Sequence, residues 1–225
     1  MNIIGIYNAP ACVTMLGLIA SVFACTLAIN GNHEFALAAL IWAGIFDLFD
    51  GMVARRAPRT ETESRFGVQI DSIVDVISFG ITPAIIMTTM YHNIWTLMIA
   101  VFYVCAAAQR LAYFNVLQES HVPPQKNARQ GQQPVKQTAT KSYLGLPVTF
   151  AALIFGVGLF PSVLMSEQAA NQYADGLMLL TGMLFITPFT MKKPGGIVYL
   201  LMPVLALAAT VFWLWQGING GFHVG

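Results

Sequence analysis

Charged side chains are scarce in this sequence: Asp, Glu, Lys and Arg make up 9% of its 225 residues. A soluble domain carries about 25% charged residues, so this chain lacks the charge needed to cover a water-facing surface. The net charge of +1 also lacks the basic excess typical of nucleic-acid-binding proteins, and we expect no nucleic-acid partner. The three cysteines have no paired spacing, which argues against a disulfide framework or a cysteine-based metal site.

Apolar residues, by contrast, make up 56% of the chain and are grouped in long blocks. Most blocks approach the ~20 residues that a helix needs to cross a bilayer. The pattern predicts an all-α, polytopic membrane helical bundle of six or seven helices, formed by a single domain over residues 1–225. The blocks cover about 11–30, 35–46, 73–90, 94–108, 144–165, 176–191 and 197–216.

Lysine and arginine are distributed unevenly between the segments that join these blocks. If the N-terminus is cytoplasmic and each block crosses once, then 55–65, 118–142 and 192–196 lie inside and hold ten of the 11 basic residues. The outside segments, which hold none, are 31–34, 91–93 and 166–172. This asymmetry predicts the orientation of the chain, in a membrane that we expect to be the bacterial cytoplasmic membrane. The segment 118–142, rich in Gln, Pro and Lys, is predicted to be a flexible connector.

Four aspartates interrupt two neighbouring apolar blocks. The stretch "FDLFDGMVARR" places Asp47 and Asp50 three residues apart, and "DSIVDVISFG" places Asp71 and Asp75 four residues apart. Both spacings put the two members of a pair on one face of a helix. Two such faces that meet would gather four carboxylates in a partly dehydrated cleft, at the cytoplasmic mouth of the second and third helices.

Carboxylates gathered in this way repel one another and are costly to bury. Protonation could relieve the repulsion, Arg55 and Arg56 could neutralise two of the acids, or metal ions could bind all four. Hard divalent ions prefer oxygen ligands, and no histidine or cysteine competes nearby. The sequence therefore predicts a carboxylate site for two divalent ions, Mg²⁺ or Mn²⁺.

Small residues stand next to the acids. Gly51 and Ala54 follow Asp50, and Gly67 lies one helical turn before Asp71, so a bulky ligand could approach the backbone. Arg55 adds a planar fork suited to phosphate. Metals, a phosphate fork and an open cleft at the membrane surface indicate a lipid-linked phosphate ester or pyrophosphate as the ligand.

These residues resemble the signature of the CDP-alcohol phosphotransferases, D-x2-D-G-x2-A-R-x8-G-x3-D-x3-D, and the likeness runs from about residue 10 to 193. The matching residues, in order, are Asp47, Asp50, Gly51, Ala54, Arg55, Gly67, Asp71 and Asp75. Eleven residues separate Arg55 from Gly67 where the signature has eight. Three extra residues are about one helical turn, which a longer helix end or loop could absorb without rotating either aspartate pair.

Three further stretches resemble family members that use serine as the acceptor alcohol. They are "IDSIVDVISFGITPA" (70–84), "RLAYFNV" (110–116) and "GLPVTFAALIF" (145–155). The resemblance implies an enzyme that transfers a phosphatidyl group from CDP-diacylglycerol to L-serine. It also implies that the enzyme is a homodimer surrounded by membrane lipids. Other acceptors, namely glycerol 3-phosphate, inositol phosphate or choline, stay open, and membrane carboxylates alone are also typical of cation transporters.

The resemblance also implies roles for individual residues. Metal binding falls to Asp47, Asp50, Asp71 and Asp75, and Asp75 is in addition the expected general base. The CDP-diacylglycerol pocket would be formed by Gly51, Ala54, Arg55 and Gly67, with Ser64 at a phosphate and Thr14 at the nucleotide.

Arg110 is the one basic residue predicted inside a helix. If its helix ends near Gln118, Arg110 lies about 12 Å from that end, too deep for an idle surface charge. It could pair with one of the aspartates, or it could bind the carboxylate of serine. Lys141, just before "SYLGLP", is a second candidate for that carboxylate.

Overall fold

The computed structural model describes residues 5–56, 58, 60–120, 142–192 and 196–220. Its α-helices are α1 (Ala9–Ile29), α2 (His33–Arg56), α3 (Glu61–Asp75), α4 (Thr82–Met90), α5 (Ile94–Ser120), α6 (Ala151–Gly158), α7 (Glu167–Ile186) and α8 (Gly196–Ile218). Two short strands, β1 (Ser142–Leu144) and β2 (Thr190–Lys192), pair in antiparallel fashion. Most of the predicted connector 118–142 lies outside the described residues.

The predicted polytopic helical bundle is confirmed, and the chain is an integral membrane protein. Five helical stretches are long and apolar enough to cross a membrane: Ala9–Ile29, His33–Arg56, Glu61–Met90, Ile94–Leu117 and Leu201–Ile218.

The block 144–165 differs from the prediction, because it is not one continuous helix. Its α-helical part has 8 residues, with 3-10 turns at Val148–Phe150 and Phe160–Leu164. Pro147 and Pro161 stand at these turns, and neither can donate the backbone hydrogen bond that a continuous helix needs.

Local signals set the helix ends that surround the four aspartates. The Asn8 side chain accepts a hydrogen bond from the Ala11 N–H at 3.1 Å and caps α1. Thr60 and Glu63 form a reciprocal capping box at the start of α3. The long spacing between Arg55 and Gly67 is therefore taken up by a short link after Arg56 and by the first turns of α3.

Small residues bring α2 against α6 in the middle of the bundle. A methyl group at Gly44 would lie 2.7 Å from the Cβ of Ala152, and one at Gly156 would lie 2.6 Å from Cγ1 of Ile41. Such backbone approach is typical of membrane helices, which gain little from hydrophobic burial in lipid. The last helix, α8, joins this core through fully buried Trp213, whose indole N–H donates to the Gly156 carbonyl at 2.6 Å.

One span changes its winding in the middle. Between α3 and α4, residues Val76–Ile81 form a π-helical segment, so that α3, this segment and α4 make a single crossing over Glu61–Met90. The start of α1, the end of α2, the start of α3 and the end of α5 share one end of the bundle. The aspartates lie toward that end.

Candidate active site

Three of the four aspartates converge between α2 and α3. Asp47, Asp71 and Asp75 each offer a carboxylate oxygen, and these atoms all lie within 4.8 Å of one another. Asp71 and Asp75 share a face because they are one turn apart on α3, and α2 carries Asp47 to the same point. Carboxylate oxygens this close together can bind a metal ion jointly.

Asp50 completes the acidic set from one turn further along α2. It is buried, with 7% of its surface exposed, and its Oδ2 accepts a hydrogen bond from the Thr14 hydroxyl of α1 at 2.7 Å. A small void of about 10 Å³ lies between all four aspartates and Thr14. That volume is about the size of a single water molecule or metal ion.

The donor set fits divalent metal ions. Every ligand candidate is a carboxylate, and oxygen-only sites suit Mg²⁺ and Mn²⁺. Among the described residues that line the adjoining cavity, Arg110 is the one lysine or arginine. Four carboxylates facing a single guanidinium leave an excess of negative charge that bound cations would neutralise.

A polar cavity of about 370 Å³ opens beside the acidic set. It is formed by the first turns of α1, the last turns of α2, the second half of α3, the last half of α5 and the turn before α6. The residues that line it include Pro10, Thr14, Asp50, Gly51, Ala54, Gly67, Asp71, Ser72, Asp75, Arg110, Phe114, Asn115, Pro147 and Thr149. A nucleotide-sized group would therefore meet both the small residues of this lining and its carboxylates.

The predicted pocket residues divide into two groups. Gly51, Ala54 and Gly67 line the cavity, whereas Arg55 and Ser64 are not among its described lining residues. Arg55 is exposed, and a methyl group at Gly51 would lie 3.5 Å from its Nη1, so the guanidinium extends back along the glycine. Both residues lie at the rim of the site, where α2 ends and α3 begins.

Arg110 lies inside the cavity wall and is 8% exposed. Its guanidinium carbon is 4.5 Å from the centroid of the Phe114 ring, one turn further along α5. Its Nε is buried without a hydrogen-bond partner in the described part of the chain. A neighbouring pocket of about 300 Å³ also reaches Arg110 and Phe114, so the guanidinium lies between two spaces. The second candidate, Lys141, is outside the described residues.

Sequence reasoning did not single out Asn115. Its side-chain oxygen accepts a hydrogen bond from the Ser72 hydroxyl at 3.0 Å, which ties α5 to α3 between the two aspartates of α3. Both residues line the polar cavity. The signal was present in the stretch "RLAYFNV", where Asn115 lies five residues after Arg110.

A second, apolar cavity of about 220 Å³ adjoins the first and shares Pro147 and Thr149 with it. Asp47 is its one acidic lining residue among those described. The apolar lining includes Ile41, Ile45, Leu48, Phe150, Leu153, Met202, Pro203 and Ala206. The acidic set thus stands between a polar and an apolar space, as an enzyme for an amphipathic substrate requires.

Comparison with known proteins points the same way. A family model described as CDP-alcohol phosphatidyltransferase matches residues 7–214. The CDP-diacylglycerol–serine O-phosphatidyltransferase of Methanocaldococcus jannaschii is 32% identical over 200 residues, which cover 87% of this chain and 80% of that protein. The protein of the same name from Mycobacterium tuberculosis is 28% identical over 213 residues, 89% of this chain and 68% of its own length. The archaetidylserine synthase of Methanothermobacter thermautotrophicus is 34% identical over 113 residues, 48% of this chain and 47% of that protein.

Proposed function

Because the chain belongs to the CDP-alcohol phosphatidyltransferase family, we propose that it transfers the phosphatidyl group of CDP-diacylglycerol to the hydroxyl of L-serine. The products would be phosphatidylserine and CMP. The observation that carries the choice of serine is Arg110, a buried guanidinium with an unpartnered Nε in the wall of the cavity that holds the acids. The names of the relatives in three other organisms support the same acceptor.

Two Mg²⁺ or Mn²⁺ ions would be held by Asp47, Asp50, Asp71 and Asp75, and when bound they would neutralise the charge that develops on the nucleophile and the leaving group. The hydrogen bond from Thr14 orients the Asp50 carboxylate toward the void between the acids. Asp71 and Asp75, on one face of α3, present their oxygens to the same point.

The donor lipid would occupy both cavities. The cytidine and phosphate groups would occupy the polar cavity, where Gly51, Ala54 and Gly67 leave room beside the backbone. The acyl chains would extend along the apolar cavity between α2, α6 and α8. Arg55 and Ser64, at the rim, would meet a phosphate group as the lipid enters from the membrane.

Asp75 is the proposed general base. A serine hydroxyl is a weak nucleophile at neutral pH, so a carboxylate within hydrogen-bond range accelerates its attack. The serine oxygen forms a bond to the phosphorus of the phosphatidyl group, and the bond from that phosphorus to the CMP oxygen breaks. The serine proton passes to the Asp75 carboxylate, and CMP leaves with its electron pair.

Arg110 would hold the serine carboxylate. A guanidinium can donate two parallel hydrogen bonds to a carboxylate, and the Phe114 ring beneath it fixes the plane of the fork. Lys141 would add a second positive charge from the loop side.

The orientation of the chain and its assembly are also proposals. The ten basic residues in the predicted inside segments support a site that faces the cytoplasm in a bacterial cytoplasmic membrane. A water-soluble acceptor such as serine is available on that side. We further propose that the enzyme works as a homodimer, as its family resemblance implies.

One experiment tests the reaction and its alternatives together. The purified protein is given CDP-diacylglycerol and Mn²⁺, and CMP release is measured with serine, glycerol 3-phosphate, inositol phosphate or choline in parallel tubes. Serine alone should support release. Release with another alcohol would keep the chemistry and change the acceptor, whereas a cation transporter would release no CMP in any tube. An ether-linked CDP lipid, offered beside the diacyl form, tests which of the two lipids the enzyme accepts as its donor.

A further inference from the structure

The π-helical segment Val76–Ile81 begins immediately after Asp75, and its cause can be read from the sequence. Pro83 has no N–H, so the carbonyl of Phe79, four residues earlier, cannot receive its α-helical hydrogen bond. The proline ring also crowds that carbonyl. The turn widens instead, and the N–H of Thr82 donates to the Ile77 carbonyl five residues back. π-Helical turns are rare and are frequently found at functional sites.

Neighbouring helices form hydrogen bonds to this segment. The hydroxyl of Tyr103, on α5, donates to the Phe79 carbonyl at 2.5 Å. The hydroxyl of Ser21, on α1, donates to that of Ser78 at 2.7 Å. Tyr103 and Ser21 are fully buried, at 0% exposure. Within a membrane, a polar backbone group without a partner is costly, so the bond from Tyr103 stabilises the Phe79 carbonyl, which Pro83 leaves without its α-helical donor.

The π-helical segment joins α4, which is packed in the core, to α3, which carries Asp71 and Asp75. On the α4 side, Ile86, Met87 and Met90 are at most 1% exposed, so α4 is held in the core. Each residue of an α-helix turns the chain by about 100°. If the widened turn relaxed toward α-helical winding, α4 would stay in place and α3 would rotate, which would move Asp71 and Asp75 away from Asp47.

We propose that Tyr103 is a positioning residue for the acidic set: its hydrogen bond to Phe79 holds the π-helical segment that aims Asp75 at the site. Tyr103 is not among the described residues that line the polar cavity, so it acts through the backbone. The inference rests on the proposed function in one respect, namely that the acidic set binds divalent metal. Ser21 supports the same segment from the opposite side.

The test removes one hydroxyl and leaves the ring. Tyr103→Phe keeps the ring contacts with Phe155 and Phe185, whose centroids lie 5.6 and 5.4 Å away. The matched control is Tyr173→Phe, because the Tyr173 hydroxyl also donates to a backbone carbonyl, that of Gly158, at 2.7 Å and away from the acids. Mn²⁺ binding to the purified protein, without substrate, is titrated by electron paramagnetic resonance, and thermal unfolding is recorded for each variant.

Tyr103→Phe should weaken Mn²⁺ binding by about five-fold, the effect of one hydrogen bond, and lower kcat with little change in the KM for serine. Tyr173→Phe should leave Mn²⁺ affinity at the wild-type value, even if its unfolding temperature falls by the same amount. Equal Mn²⁺ affinity in Tyr103→Phe and wild type, or an equal loss in both variants, overturns the proposal.

If Tyr103→Phe does not fold, Ser21→Ala takes its place and should also weaken Mn²⁺ binding, whereas unchanged affinity in that variant overturns the inference. The wild-type protein separates this inference from the proposed function. A wild type that neither binds Mn²⁺ nor releases CMP contradicts the proposed function, whatever the variants do. A wild type that does both, with Tyr103→Phe indistinguishable from it, contradicts only the role of Tyr103.

Discussion

Replacing Arg110 with lysine gives a sharp test of the acceptor site. The change keeps the positive charge, but an ammonium group cannot donate two parallel hydrogen bonds or stack flat on the Phe114 ring, 4.5 Å from the guanidinium carbon. Hydrogen bonds to charged groups contribute about 1.5–3 kcal/mol each. Since 1.4 kcal/mol is about a factor of ten, the loss of one such bond should raise the KM for serine about ten- to hundred-fold.

Steady-state CMP release, measured while serine and CDP-diacylglycerol are varied in turn, checks this prediction. The KM for CDP-diacylglycerol serves as the internal reference and should stay near the wild-type value, because the lipid is held by other residues. Arg56→Lys is the matched control, since Arg56 is exposed at the end of α2 and is not a described lining residue of the cavity.

A serine KM that stays unchanged in Arg110→Lys, together with weaker metal binding or a lower unfolding temperature, would refute the reasoning. Arg110 would then be a structural partner of the aspartates, and the serine carboxylate would bind elsewhere.

Three further predictions concern the metal site, the base and the last helix. Excess EDTA should abolish CMP release and added Mg²⁺ or Mn²⁺ should restore it, whereas full turnover in EDTA would contradict a metal site. Asp75→Asn should lose turnover while binding CDP-diacylglycerol better than Asp47→Asn does, measured by equilibrium binding of the lipid; near-normal turnover would remove Asp75 as the base. Trp213→Phe should destabilise the protein by about 1–3 kcal/mol, because the Gly156 carbonyl loses its buried donor. In thermal unfolding, Trp215→Phe on the exposed side of α8 should change little, and equal effects would contradict the role of that hydrogen bond.

Spacing alone could predict that the two aspartates of each pair lie together. An interval of three or four residues puts two side chains on one helix face, whatever else the helix does, and an apolar surrounding makes unpaired acids too costly to tolerate by chance. The places of Gly51 and Gly67 follow from the same periodicity, because each lies within one turn of an aspartate.

Other features depend on contacts between distant parts of the chain. Sequence spacing predicts a continuous helix over 144–165, but the paired strands and the prolines at its two ends leave α6 with only 8 residues. Pro83 could have indicated a break after Asp75, but the widened turn is stable because Tyr103 lies opposite Phe79, 24 residues away. The path of the Arg55 side chain, which runs along Gly51 at the edge of the cavity, could not be predicted from spacing either.

The position of the acids between two unlike cavities follows from α2 itself. Asp47 lines the apolar cavity and Asp50, one turn later, lines the polar one. Transfer of a phosphatidyl group joins a lipid, which stays in the membrane, to an alcohol that arrives from water. The reacting phosphorus therefore has to lie at the boundary between an apolar and a polar space, and the proposed metal ions would lie there too. Two carboxylates on one helix, three residues and about 4.5 Å apart along its axis, can reach both sides of that boundary. Of the two cavities, Asp71 and Asp75 line only the polar one, so Asp47 is the carboxylate that reaches the lipid side.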